Sequence, residues 1–357
     1  MAPVISVTIP TFNRAHVIRG AVDSVLAQTF SDIEIIVVDD GSSDGTRQVL
    51  AEAYGDDDRV RYHYQPNGGL ASARNAGLAL ATGAYVALLD SDDSWKPWHL
   101  QLLMASLNRL PQAGLVWTDL DAVDASGAVV ATEFLPRLLS AYQYFSKDEL
   151  FSTSLPLSEL GVEIPARYRD RRLYMGDVFS PMVMGNLIIP SSVVVRRERL
   201  DSVGRFDERF SETDYEFFLR TCRAGPVAFA DIADIRYRVG TAEQMTGPAG
   251  NLRIAHGYLR VLEETLGRDA GRITLAPAMI LEARAFAHRW IGKAELQTGS
   301  PRAARRHLVT AFRLGPRRLA TALLFIATFL PRWAITRMID WRLRLRWLRQ
   351  RARATSG

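Results

Sequence analysis

Val4 to Ile9 is a short, β-branched apolar run ended by Pro10, which predicts a buried strand stopping at a loop. His16 to Thr29 then sets Val17, Ile18, Ala21, Val22, Val25 and Leu26 on one helical stripe. Glu34 to Val38 is a second buried run, broken by Asp39-Asp40-Gly41-Ser42-Ser43-Asp44-Gly45, and Thr46 to Ala53 reads as a second helix. The alternation goes on through strands at Val60 to Gln65, Tyr85 to Leu89 and Leu115 to Ala122, with helices at Gly69 to Ala81 and Trp98 to Asn108. Continuous apolar strands alternating with amphipathic helices predict a mostly parallel sheet covered on its faces, an α/β fold. In open sheets of this kind ligands collect beyond the carboxyl ends of the strands. The polar clusters between these elements stand at such ends.

From Val123 to about Met184 the pattern is irregular, with an extended Thr132 to Ser158 segment and a basic stretch from Arg167 to Arg172. It reads as a long excursion that shapes an acceptor site or a lid. Regularity returns with a strand at Leu187 to Arg196, a helix at Asp214 to Arg223 and a strand at Asp234 to Val239. Beyond Asn251 the chain reads as helical: Leu252 to Leu266, Pro277 to Thr298, Pro301 to Arg313 and Arg317 to Leu348. The pair around Thr298-Gly299-Ser300-Pro301 resembles one helix-turn-helix repeat, and a single copy is too little for a solenoid. The expected division is 1–250 for the sheet domain, with halves at 1–122 and 123–250, and 251–357 for an all-helical extension.

Composition excludes a disordered chain, since 48% of the 357 residues are hydrophobic and 23% charged. Charge changes the picture more. From Pro301 onward there are 14 Arg, no Lys and one acid, Asp340, which gives 14 − 1 = +13. Against the formal total of +5, residues 1–300 carry 5 − 13 = −8. An acidic front and a basic tail imply an anionic partner for the tail. Ala334, Met338, Trp341, Leu345 and Leu348 share one helical face there, with Arg337, Arg342, Arg344, Arg346 and Arg349 around the rest. That suits an anionic membrane surface, the alternative being a terminal helix packed on its own domain; nucleic acid is not expected, because no recognisable binding module accompanies the charge.

Cys222 is the single cysteine, so an intramolecular disulfide or a cysteine-based zinc cluster is excluded and a reducing cytoplasm is expected. The first residues show no secretory pattern. The longest uncharged apolar run, Leu319 to Leu330, falls short of the roughly 20 residues of a spanning helix. No transmembrane helix is expected, and the location expected is cytoplasmic, peripheral on the inner face of the plasma membrane.

Candidate chemistry centres on Asp90-Ser91-Asp92-Asp93 after the Tyr85 to Leu89 strand. Acids at i and i+2 past a buried strand can project toward one point, where hard oxygens suit Mg²⁺ or Mn²⁺; a solvated turn is the plain alternative. Asp39 and Asp40 close their strand in the same way, able to accept from a base or ribose, or else forming a turn that caps the next helix with Asp44. Pro10-Thr11-Phe12-Asn13-Arg14 opens the first helix, where amides favour an anion. Asn67-Gly68-Gly69 precedes a helix that presents Arg74 to a diphosphate or to solvent. Asp214 begins an aromatic-rich helix with Phe217, Phe218 and Leu219.

Together these segments resemble glycosyltransferase family 2, inverting enzymes of the GT-A fold, over about Val4 to Val239. The resemblance lies in Pro10 to Arg14, Val-Asp-Asp-Gly-Ser-x-Asp-Gly-Thr at Val38 to Thr46, Asn-x-Gly-x-x-x-Ala-Arg-Asn-x-Gly at Asn67 to Gly77, and Asp-x-Asp-Asp at Asp90 to Asp93. It implies a Rossmann-like sheet flanked by helices. It implies donor contacts from Pro10, Thr11, Asn13, Arg14, Asp39, Asn67, Gly69, Arg74, Asp90 and Ser91, with a metal at Asp92 and Asp90. The family's Glu-Asp pair falls on Thr213-Asp214, which makes Asp214 the implied base with Thr213 in the usual Glu place. A His common near Tyr237 to Thr241 is missing, leaving Arg238 or Gln244 to substitute. The implied activity is metal-dependent transfer from a nucleotide-diphosphate sugar to the hydroxyl of a glycan or lipid-linked acceptor, as in cell-surface glycan or polysaccharide synthesis. The rivals are a nucleotidyltransferase, which lacks its glycine-rich basic loop here, and a catalytically inactive membrane-docked binding protein. No Gly-x-Gly-x-x-Gly supports a dehydrogenase.

Overall fold

The computed structural model describes residues 3–210, 213–240, 248–315 and 318–331. The first half alternates as expected: β1 (Ile5–Thr11), α1 (Ile18–Leu26), β2 (Ile33–Asp39), α2 (Thr46–Tyr54), β3 (Val60–Tyr64), α3 (Leu70–Leu80), β4 (Tyr85–Leu88), β5 (Ser94–Trp95), α4 (His99–Arg109) and β6 (Leu115–Val123). All seven residues of β1 and of β2 are buried, so both faces of these strands are covered, the polar Ser6, Thr8 and Glu34 included.

The irregular region holds more structure than its pattern shows. It carries β7 (Val129–Ala131), the single turns α5 (Leu135–Leu138) and α6 (Lys147–Leu150), β8 (Thr153–Pro156), β9 (Arg172–Gly176) and α7 (Phe179–Met182). Then come β10 (Val193–Arg196), α8 (Arg197–Val203), α9 (Thr213–Arg223) and β11 (Val227–Arg238). The expected strand from Leu187 is shorter, because Pro190–Ser192 forms a 3-10 turn. The expected strand from Asp234 is longer, beginning at Val227.

Among the described residues eleven strands form one sheet in the order β3-β2-β1-β4-β10-β6-β11-β9-β8, with β5 on β11 and β7 on β6. β3, β2, β1 and β4 run parallel; β10 enters antiparallel between β4 and β6. Register aligns the strand ends, with Thr11 beside Asp39 and Asp39 beside Tyr64. Thr8 pairs with Leu88, and the Leu89 amide donates to the Thr8 carbonyl at 3.1 Å, so the chain reaches Asp90 just past β1's midpoint. Helix α3 lies close on this sheet: a Cβ on Gly77 would stand 3.0 Å from Thr8 Cβ.

The chain forms two compact units. Residues 1–179, 186–209 and 213–239 make the sheet unit, and 180–185, 210–212 and 240–357 the helical one. The second contains α10 (Pro248–Arg268), α11 (Pro277–Thr298), α12 (Pro301–Leu314) and α13 (Arg318–Ala327). α11 and α12 approach tightly, since a Cβ on Gly292 would meet Leu308 Cγ at 2.7 Å. Leu296, Ala304, Leu308 and Ala327 form a core there. Among the described residues no helix is long and apolar enough to cross a membrane. The arginine-rich tail from Ala334 to Leu348 lies outside the described residues, as do Glu212 and Gln244.

Candidate functional site

The sheet unit joins three of the five sequence clusters through a fully buried cation. Arg74, 1% exposed on α3, donates from one terminal nitrogen to Asp90 Oδ1 at 2.9 Å and from the other to Asp214 Oδ1. Burial alone depresses a guanidinium's pKa, but Asp214 and Asp90 outweigh it and leave Arg74 raised. Its guanidinium also lies 5.4 Å from the centre of the Phe206 ring. Arg74 is therefore committed to two carboxylates rather than presented to solvent.

The neighbouring Asn75 completes the grip on the loop before α9. Its amide donates to the Phe206 carbonyl at 3.0 Å and to Glu208 at 2.9 Å, and its oxygen accepts from the Phe206 amide at 2.8 Å. Phe206 stacks on Phe217 of α9 at 4.0 Å. The Ala-Arg-Asn segment thus places Asp214, whose helix is anchored in the core by the buried Phe217 and Phe218.

The acidic loop is crowded. Asp93 is buried and accepts from Ser191 Oγ at 2.5 Å and from the Arg238 amide at 3.0 Å. Ser191 Oγ also accepts from the Asp90 amide at 3.1 Å. Burial first, then Asp92 and Asp90, push the Asp93 carboxyl well above the carboxylate range. Burial and Asp90 likewise raise Asp92, against the opposing charges of Arg14 and Arg238. Burial and the same group of acids raise the Tyr237 phenol. Carboxylate oxygens crowded past a strand end are the set a hard divalent cation suits, and Asp90 and Asp92 fit such an ion.

Arg238, expected to substitute for a diphosphate-holding histidine, bonds the backbone around the acidic loop. Its guanidinium donates to the backbone carbonyls of Asp92 at 3.2 Å, Asp124 at 3.2 Å and Ala125 at 2.9 Å, stapling the acidic loop to the end of β6.

The two glycine-bearing loops are built by carboxylates. Asp39 accepts from the Ser42 amide at 2.8 Å and the Tyr62 hydroxyl at 2.7 Å. Asp40 takes Gln65 Nε2 at 2.7 Å and the Gly68 and Gly69 amides at 2.9 and 2.8 Å, while Asn67 donates to its carbonyl at 2.9 Å. Asn67 and Gly69 therefore shape this loop, and Gly69 does so at φ +88°. Asn13 accepts from the Ser43 amide at 2.8 Å, and the Arg14 amide bonds Thr46 Oγ1 at 3.1 Å. Pro10 pairs in register with Val38. Ser91 is buried in the acidic loop. Asp44 does turn toward α2, accepting from the Thr46 amide at 2.9 Å. Thr11 differs from all of these: its buried hydroxyl finds no partner among the described residues. A polar atom left so at a strand end fits a ligand.

Sequence reasoning missed Ser191 and the holding role of Asp40 and Asn75. Ser191 gave no signal, since it lies 101 positions from Asp90 and follows an ordinary Ile-Ile-Pro. A surface depression of about 630 Å³ lined by Arg109, Pro111, Thr153 and Met175 contains none of these residues.

Residues 6–128 match the family described as Glycosyl transferase family 2. An uncharacterized glycosyltransferase of Rickettsia felis is 29% identical over 239 residues, 66% of this chain and 34% of that protein. A chondroitin synthase of Pasteurella multocida is 38% identical over 132 residues, 37% of this chain and 14% of that protein. The chain thus spans about a third or less of these two relatives. Among solved structures, S. aureus TarS 1-349 in complex with UDP-GlcNAc covers 92% of this chain and 89% of its own, with 16% identity and TM-score 0.51. The mannosyltransferase PcManGT from Pyrobaculum calidifontis, in complex with GDP-Man and Mn²⁺, covers 99% and 86%, with 19% identity and TM-score 0.51. At these identities the likeness is one of fold, the GT-A sheet flanked by helices.

Proposed function

From the premise that the chain belongs to glycosyltransferase family 2, we propose that it moves a sugar, with inversion, from a nucleotide-diphosphate donor to an acceptor hydroxyl in the synthesis of a cell-surface glycan or polysaccharide. The observation that carries this reading is the Arg74 bridge, which joins a donor-side acid, Asp90, to a candidate base, Asp214, in one site. A nucleotidyltransferase needs no such base aimed at an acceptor.

In this mechanism Thr11 and Asp39 line the nucleotide, with Arg14 near the diphosphate, and Arg74 acts from beneath by holding Asp90 and Asp214. Pro10, Asn13, Asn67, Gly69 and Ser91 shape the walls. Asp214 accepts the proton of the acceptor hydroxyl, whose oxygen attacks the anomeric carbon as the bond to the diphosphate breaks. One displacement at that carbon inverts it. Asp92 and Asp90 hold Mn²⁺ or Mg²⁺, which supplies positive charge for the departing diphosphate. Arg74 keeps Asp214 oriented until substrates occupy the site.

We assign 1–122 to donor binding, 123–250 to the acceptor, and 251–357 to an extension that docks on an anionic membrane, on the cytoplasmic inner face. Leu319, Leu323 and Ile326 of α13 recur at four- and three-residue spacing and are 77%, 51% and 59% exposed, and the chain beyond carries eight of the 14 arginines that follow Pro301. Apolar surface beside dense positive charge supports a lipid partner over nucleic acid.

The test is a thermal-shift panel of nucleotide sugars with and without Mn²⁺, followed by release of nucleoside diphosphate in the presence of glycan and lipid-linked acceptors. One donor is expected to raise Tm in a metal-dependent way and to be consumed. A panel with no shift and no release would overturn the reading in favour of an inactive binding protein.

A further inference from the structure

The helical unit gathers three of the chain's six histidines, and a buried acid, at the meeting of three helices. His256 lies on α10, His288 and Glu295 on α11, and His307 on α12. Seven residues separate His288 from Glu295, two helical turns, so both face the same way. One ligand atom each from His256, Glu295 and His307 lies within 4.8 Å of the others. The His256 and His307 rings meet edge to face at 5.6 Å, and His288 packs on His307 at 5.1 Å.

Two further features point to a ligand. Glu295 is 7% exposed, and its buried Oε2 has no hydrogen-bond partner among the described residues, a costly state for a carboxylate oxygen in a helical interface. His288 Nδ1 lies 2.9 Å from His307 Nδ1, a contact in which one nitrogen donates and the other accepts. That contact fixes the His307 ring and leaves its other nitrogen for a second partner, the arrangement in which an outer residue orients a metal-binding imidazole.

We propose that His256, Glu295 and His307 bind a transition-metal ion of the Zn²⁺ class, with His288 as a positioning residue, and that this ion fastens α10, α11 and α12 together. Two imidazoles and a carboxylate are a Zn²⁺ donor set, with the remaining position left to water. Donor separations in a tetrahedral site are roughly 3.4 Å for bonds of about 2.0–2.1 Å, so ring and carboxylate rotations suffice to close the site. The sequence gives no warning, because the three ligands come from three helices and make no local motif. This ion differs from the one assigned to Asp92: nitrogen donors select Zn²⁺ over Mg²⁺.

The full chain, stripped with a chelator, is titrated with Zn²⁺ and, separately, with Co²⁺ read by visible absorption. Asp92→Ala serves as the background that removes the donor-side site. One Zn²⁺ per Asp92→Ala chain, a four-coordinate Co²⁺ spectrum displaced by Zn²⁺, and a higher Tm with metal are expected. Adding His256→Asn, on an exposed position that tolerates change, or Glu295→Gln, which keeps the shape, should weaken binding roughly 100-fold and remove the Tm gain. His288→Gln should weaken it by about 10–100-fold with the Co²⁺ spectrum kept in type at saturation. Zn²⁺ binding unchanged in His256→Asn and Glu295→Gln, or absent from the Asp92→Ala chain, would overturn the proposal.

Discussion

Arg74 and Asp214 stand 140 positions apart and share an ion pair in which the arginine is fully buried and the aspartate is one third exposed. The asymmetry is informative. A buried guanidinium has no water to fall back on, so it must keep its acids, whereas Asp214 retains a face open to solvent.

Replacing Arg74 with Met should destabilise the sheet unit by about 3–5 kcal/mol, the usual effect of breaking a buried pair. Arg74→Lys keeps charge but cannot reach two carboxylates as a fork does, so transfer is expected to collapse with a smaller loss of Tm. Urea melts and an activity assay read the two effects; wild-type values in both variants would refute the bridge's importance.

Asp214→Asn should leave donor binding intact, as measured by calorimetry, while transfer falls by a factor on the order of 100 to 10,000, the span of general base catalysis. Near-normal turnover would remove Asp214 from the base role.

Asp92→Ala is expected to fold normally and to lose metal-dependent turnover. The variant relieves crowding at Asp93, whose carboxyl is held high by burial and by Asp92. Its Tm should therefore not fall, and turnover that still responds to Mn²⁺ would sink the ligand assignment.

Glu34 provides a pH signature independent of the site. It accepts from Ser6 Oγ at 2.6 Å, from the Thr82 amide and hydroxyl at 2.7 Å and from Arg61 at 2.7 Å, tying β1, β2, β3 and the end of α3. Burial alone raises this carboxyl, but those bonds outweigh it and lower it from 4.5 to about 2. A carboxylate depressed in the folded state binds fewer protons there than in the unfolded chain. Its contribution, about 3 kcal/mol, is present above pH 4.5 and lost as pH falls toward 2. Glu34→Gln should flatten the acid limb of urea stability in that window, and an unchanged slope would contradict it.

Membrane docking is best tested on a chain ending at Pro331, because removing α12 would take Ala304 and Leu308 out of the core, expose Leu296 and confound the result. Affinity for anionic vesicles should drop with the lost arginines and weaken with salt; affinity equal to the full chain's would place the contact elsewhere.

The sequence alone determined the order of β1 to β4, β6 and the helices between them, because mostly apolar strand runs alternate there with amphipathic helices. It also carried the resemblance to glycosyltransferase family 2, since the acids and glycines of Asp39 to Gly45, Asn67 to Gly77 and Asp90 to Asp93 each lie within one short segment, where spacing is local. It did not reveal β8, β9 and β5, which are short and take their hydrogen bonds from partners distant in sequence. Only the tertiary structure decided that Arg74 faces Asp90 and Asp214, that Ser191 holds Asp93, and that His256, Glu295 and His307 converge. Those relationships join residues from separate elements, and a side chain's partner across such a gap is set by strand register and helix packing, which no local pattern encodes.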